Sequence, residues 1–151
     1  VTMALPEPIG VLAQVAPESL PLLTTISLIS PAIAMGNRVI LIPSESFPSV
    51  ALELVQTFET SDIPPGVINI VTGDKDELSN QLVGHAEVDG VWCWADSDTI
   101  AKVETTSALD LKRLWIHSDG DRDWLDPDQG EGLEFLRNAT EVKNIWTPYG
   151  D

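Results

Sequence analysis

Short apolar runs alternate with longer amphipathic segments along most of this chain, and that alternation restricts the fold more than any other feature. Ile9 to Ala16 is stopped by Pro17, and Arg38 to Ile42 begins after Gly36-Asn37 and stops at Pro43. Val67 to Val71 follows Pro64-Pro65-Gly66 and leaves through Thr72-Gly73-Asp74. Proline has no N–H to give to a sheet, so it closes strands where it falls. A fourth run, Val88 to Trp94, and a fifth, Arg113 to His117, carry Trp92, Trp94 and Trp115. Runs this apolar suit strands covered on both faces, as in a parallel sheet. Between them the spacing predicts helices. Leu20 to Met35 ends at Gly36 and carries an interior Pro31 where a kink is expected. Phe47 to Thr60 follows the candidate cap Ser44 and sets Val50, Leu54 and Phe58 on one stripe. A third helix runs through Leu78, Leu82 and Val83 after Asp74 or Asp76, and a fourth from Asp98 to Ser107 after Asp96 or Ser97. Five strands joined by four helical crossovers predict an α/β fold: a doubly wound, mostly parallel sheet with helices on both faces.

The 151 residues supply one domain's worth of core. We divide them into an N-terminal strand (1–8), the α/β body (9–118), an acidic loop (119–132), and a C-terminal segment (133–151) holding a short helix, Leu133 to Asn138, and an edge strand, Val142 to Tyr149. In the acidic loop Asp119, Asp121, Asp123, Asp126, Asp128 and Glu131 are opposed only by Arg122. The whole chain has 8 Lys+Arg against 24 Asp+Glu, a formal charge of −16. Phosphate backbones and anionic lipid surfaces are repelled by such a surface, so no nucleic acid and no membrane partner is expected. The lone cysteine, Cys93, cannot form an internal disulfide, and with His85 and His117 it does not make a zinc site. A reducing, cytoplasmic setting is the expectation. The chain opens on Val1 with no basic segment and adjoining apolar core, which suggests an excised piece of a larger protein.

Several blocks are recognisable. Pro8-Ile9-Gly10-Val11, Pro17-x-x-x-Pro21-Leu22, Pro31-Ala32-x-Ala34-x-Gly36-Asn37, Pro43-Ser44-Glu45 and Pro64-Pro65-Gly66-Val67-x-Asn69-x-Val71-Thr72-Gly73 resemble, in order and spacing, the Rossmann-like cofactor-binding half of the aldehyde dehydrogenase superfamily. The similarity continues through His85-x-x-Val88-Asp89 and Leu111-Lys112-Arg113, and Asn144-Ile145-Trp146 is similar to that family's oligomerisation strand.

The departures matter as much as the matches. The resemblance implies a catalytic cysteine in a separate domain, and no such domain fits between His117 and Asn144. The family's oxyanion-stabilising asparagine, in its Pro-Trp-Asn-x-Pro block, falls on Ser19, and its general-base glutamate on His117. Its glycine-serine turn under the cofactor pyrophosphate falls on Ala95-Asp96, and the lysine before Pro43-Ser44-Glu45 is Ile42. Chemical positions lost while folding blocks are kept resemble the C-terminal pseudo-dehydrogenase region of aldehyde dehydrogenase family 16. That resemblance implies a non-catalytic domain packing against an upstream dehydrogenase module and supporting a homodimer. It also implies that Val1 to Pro8 is half of a hairpin whose first strand lies upstream, pairing with Val142 to Pro148 in an edge strand of oligomerisation-flap type and leaving an open sheet edge there.

No cofactor is expected, with NAD as the alternative. Its degenerate site would be Pro17, Ser19, Ser44 and Glu45, each of which also reads as a packing or helix-capping residue. Trp124, Trp146 and Tyr149 are the candidate interface aromatics. Cys93, between two tryptophans, reads as a buried apolar side chain rather than a nucleophile. His117 has no nucleophile beside it in sequence and reads as a strand-end residue. The run Asp119-Gly120-Asp121-Arg122-Asp123 begins like a calcium loop but puts Trp124 and Gly130 where glycine and glutamate are required. No metal site is expected there.

Overall fold

The structure, a computed structural model, describes residues 2–148. β1 (Thr2–Pro8) precedes the body, in which β2 (Val11–Val15), α1 (Pro21–Ala34), β3 (Arg38–Ile42), α2 (Pro48–Glu59), β4 (Ile68–Ile70), α3 (Lys75–Val83), β5 (Gly90–Ala95), α4 (Ser97–Ser107) and β6 (Arg113–Ser118) alternate. α5 (Pro127–Gly130), α6 (Leu133–Asn138) and β7 (Thr140–Trp146) complete it. Strands β2 to β6 form one parallel sheet in the order β4-β3-β2-β5-β6. The chain winds outward from β2 to β4, crosses back through α3, and continues from β5 to β6. This is the predicted α/β fold. α1 stays continuous across Pro31.

The alternation of side chains along each strand separates two cores. Leu12, Val39, Leu41, Trp92 and Trp94 face α1, α2 and α6, meeting Leu28, Ile29, Ala32, Phe58 and Phe135. Ala13, Val15, Ile42, Val91, Cys93 and Ala95 face α3 and α4, meeting Val83 and Val103. The first core is rich in rings. Trp92 and Trp94 each meet Trp115 edge-on, with centroids 4.9 and 5.0 Å apart, the arrangement ring quadrupoles favour.

Trp124 corrects one expectation. Instead of presenting an interface anchor, it is 3% exposed and belongs to the first core, 5.3 Å from Trp94. The cause is Arg122, whose guanidinium lies 5.1 to 5.9 Å from the rings of Phe135, Trp115, Trp94 and Trp124. Its nitrogens also donate to the Gln129 carbonyl and to Glu134. One cation, held by ring faces and a carboxylate, folds the acidic segment down onto the sheet. Three acids of that segment are turned onto nearby amides: Asp121 accepts from Ser118 N at the end of β6, Asp123 from Leu125 N, and Asp126 from Asp128 N and Gln129 N at the start of α5. Among the described residues no group of His, Cys, Asp or Glu is arranged to hold a metal ion. None of their helices is long and apolar enough to cross a membrane.

β1 and β7 form a separate antiparallel ribbon, in register from Thr2 opposite Trp146 to Pro8 opposite Thr140. The two segments expected to pair do so within one chain, each keeping one edge without a partner strand among the described residues; the expected upstream strand is outside this chain. Gly10, at φ 129, turns the chain from this ribbon into the sheet; a Cβ there would lie 2.2 Å from the Asp89 carboxylate, which accepts from Val11 N. Arg113 pairs with Glu141 at 2.6 Å, joining the ribbon to β6.

Candidate functional site

In an open parallel sheet, ligand crevices form beyond the carboxyl ends of the strands, where the winding direction reverses. Here that reversal lies between β2 and β5. A cleft of about 580 Å³ opens at this end, lined by residues that follow all five strands: Glu18, Glu45, Asp74, Lys75, Asp96 and Asp119 among them. Its charge is lopsided, with carboxylates from every strand end and one ammonium.

That ammonium is already engaged. Lys75, the first residue of α3, donates its Nζ to the Ala16 carbonyl at 2.8 Å and makes a very short ion pair with Glu18 Oε1. Glu18 accepts three further hydrogen bonds, from Ser44 Oγ (2.9 Å), Glu45 N (3.1 Å) and Ser46 N (3.0 Å). Burial pushes the Glu18 carboxyl up, but the bonds from Lys75, Ser46, Glu45 and Ser44 outweigh it and bring the pKa down to about 2. The carboxylate therefore stays ionised across ordinary pH.

The second anion-receptive feature of the cleft, the start of α4, is closed in the same manner. Asp96 caps the helix, accepting from Asp98 N and Thr99 N at 2.9 Å each. Those bonds, that from Thr99 foremost, lower its pKa. Asp76, also on the rim, accepts from Thr99 Oγ1 and pairs with Lys102, which ties α3 to α4.

The predicted cofactor residues are split by the fold. Ser44 is 1% exposed and serves Glu18 and α2, where its hydroxyl also accepts from Phe47 N. Glu45 is exposed on the cleft rim and accepts from Lys75 N at 3.3 Å. Pro17 is buried beneath the cleft, and Ser19 is exposed and outside its lining. Sequence reasoning missed Glu18 and Lys75. The available signal was a carboxylate within the Pro17-x-x-x-Pro21 block, at the place where the resembled pattern has tryptophan.

Two further side chains singled out in the sequence, Cys93 and His117, lie outside the cleft lining. Cys93 is fully buried, and desolvation pushes its thiol up to about 12. A protonated, enclosed thiol is no nucleophile. His117 stacks on Trp94 with centroids 5.5 Å apart, and burial with the nearby Arg122 charge lowers its pKa. It sits among the rings, away from the cleft lining.

Trp146 is 79% exposed at the end of the ribbon, and Val142, Met3 and Leu5 are exposed on the same ribbon. Tyr149 lies outside the described residues.

Comparison with known proteins extends the picture. The model of the aldehyde dehydrogenase family matches residues 1–124. The NADP/NAD-dependent aldehyde dehydrogenase PuuC of Escherichia coli is 37% identical over 120 residues, 78% of this chain and 24% of that protein. Betaine aldehyde dehydrogenase of Vibrio vulnificus is 33% identical over 141 residues, 93% of this chain and 29% of that one. Among solved structures, a mutant of aldehyde dehydrogenase C from Pseudomonas syringae, complexed with NAD+ and octanal, superposes with a TM-score of 0.75 at 33% identity. It is covered over 24% of its length by 78% of this chain. An indole-3-acetaldehyde dehydrogenase complexed with NAD+ gives 0.74 at 29% identity, with the same coverage. The chain spans about a quarter of the length of the curated relatives it matches.

Proposed function

The chain belongs to the aldehyde dehydrogenase family, and on that premise we propose that it is a non-catalytic, pseudo-dehydrogenase domain of the family 16 type. Its work is to bind protein: it packs against an upstream dehydrogenase module in the cytoplasm and supports the homodimer of the parent. The observation that carries this reading is the occupied cleft. At the carboxyl end of the sheet, the cleft presents Glu18 and Asp96, already bonded to the nearest amides. A dianionic pyrophosphate would meet like charge and spent donors. The only thiol is enclosed, so the chain offers no group to attack an aldehyde.

The ribbon supports the other half of the reading. β1 and β7 pair only with each other among the described strands, so both outer backbone edges remain open to a further strand. Trp146 and Val142 add exposed apolar area beside those edges.

Calorimetric titration of NAD into the folded chain tests the cleft, and co-purification with the upstream module tests the ribbon. No binding heat at millimolar NAD, with stable capture of the module, is the expected pair of results. A micromolar constant for NAD would overturn the reading. It would favour the alternative, a cofactor-binding domain serving a catalytic partner, which the place of Glu45 and Ser46 on the cleft rim supports.

A further inference from the structure

A surface carboxylate paired with one lysine is an ordinary feature, worth little. Glu18 is held differently. Each of its oxygens takes two hydrogen bonds: Oε1 from Glu45 N and Lys75 Nζ, and Oε2 from Ser46 N and Ser44 Oγ. The donors come from the loop after β3 and from the first residue of α3, none of them from the segment that carries Glu18. They also have supports of their own. Lys75 Nζ is held by the Ala16 carbonyl, Lys75 N donates to Glu45 Oε2, and the buried Ser44 hydroxyl accepts from Phe47 N. Lys75 and Ser44 are thus each held by bonds other than those to the carboxylate that fills the cradle.

We infer that Glu18 is a tethered occupant of a site for a phosphate-sized oxyanion, an internal anion that shuts this cleft to external ones. This deepens the proposed function and rests on it, since it supplies the physical means by which the cleft is closed. Four convergent donors with one full positive charge are the equipment that recognises a phosphate oxygen face. Tethering gives the carboxylate a high local concentration, so a free anion competes at a disadvantage. The single positive side chain of the cleft lining is also neutralised by the same contact, which leaves only carboxylates among its other charged residues.

The test uses inorganic phosphate as probe, followed at the Glu45 and Ser46 amides by 15N NMR of the complete chain. The wild-type protein should show no saturable shift at tens of millimolar phosphate. Glu18→Ala should show one, with a dissociation constant at least tenfold below any found for wild type. Glu18→Ala combined with Lys75→Met should lose it again. A folded Glu18→Ala protein without saturable shifts overturns the inference, as does equal binding by wild type or by the double variant. Should Glu18→Ala fail to fold, Glu18→Gln keeps the side chain's shape, removes its charge, and must pass the same tenfold comparison. The two ideas fail separately: NAD binding to wild type defeats the non-catalytic reading, whereas silence of the Glu18 variants toward phosphate defeats only the tethered anion.

Discussion

The cleft at the carboxyl end of the sheet and the ribbon formed by β1 and β7 treat their polar backbone groups in opposite ways. In the cleft, the amides of Glu45, Ser46, Asp98 and Thr99 are taken by carboxylates of the same chain, and Lys75 is neutralised. In the ribbon, one edge of each strand is left without a partner strand, and Trp146 and Val142 stand 79% and 64% exposed. A region whose donors are already satisfied gains little from a small ligand. A region with open edges and exposed rings gains much from another polypeptide. This contrast is what supports the proposed use of the ribbon, rather than the cleft, as the binding region of the domain.

The largest effect that sharpens this contrast belongs to the ribbon. Trp146→Asp with Val142→Asp should weaken association, with a second copy or with the upstream module, by roughly 100-fold while leaving the urea midpoint in place. Sedimentation velocity with and without the module reads this, and unchanged profiles would break the comparison. Next comes the cleft. Lys75→Met leaves the half-buried Glu18 without its cation and should cost about 2 kcal/mol of stability in urea unfolding. A midpoint equal to wild type would mean that the cleft contributes nothing to the fold.

A smaller effect follows from the low pKa of Glu18. Its carboxyl titrates at about 2 in the folded chain against an ordinary 4.5. The stability it contributes is therefore complete above about pH 4.5 and disappears as the pH falls toward 2. Partial exposure reduces this to about 1 kcal/mol. Comparing wild type with Glu18→Gln at pH 5 and pH 3 isolates it, because the difference between the two proteins should shrink at the lower pH. The smallest effect is at the rim. Lys102→Ala removes a half-exposed partner of Asp76 and should leave the urea midpoint indistinguishable from wild type. A measurable loss would show that α3 and α4 depend on that pair to enclose the cleft.

Much of the fold was legible because its strands are bounded by residues that cannot continue them. Arg38 to Ile42, between Gly36-Asn37 and Pro43, is found as read. Leu133 to Asn138 is too. The ends of β2 and β4 fray inward by one or two residues, where backbone bonds pass into loops. Trp124 was misread because charge density along the sequence points to solvent, whereas one arginine gathered against four rings reverses the direction of the chain. The cleft was half legible. Ser44 and Glu45 stand out through the resemblance, but Glu18 acts only through Ser44, Glu45, Ser46 and Lys75, which lie 26 to 57 positions away. Nothing local to Glu18 marks such a convergence.

The ribbon also fixes where the chain can be cut and rejoined. Thr2 stands opposite Trp146 across it, so the two ends of the described chain are neighbours in space. A few flexible residues would span them at little entropic cost. New ends opened in the exposed turn around Asp62, between α2 and β4, would then yield a circular permutant with every strand of the parallel sheet uncut.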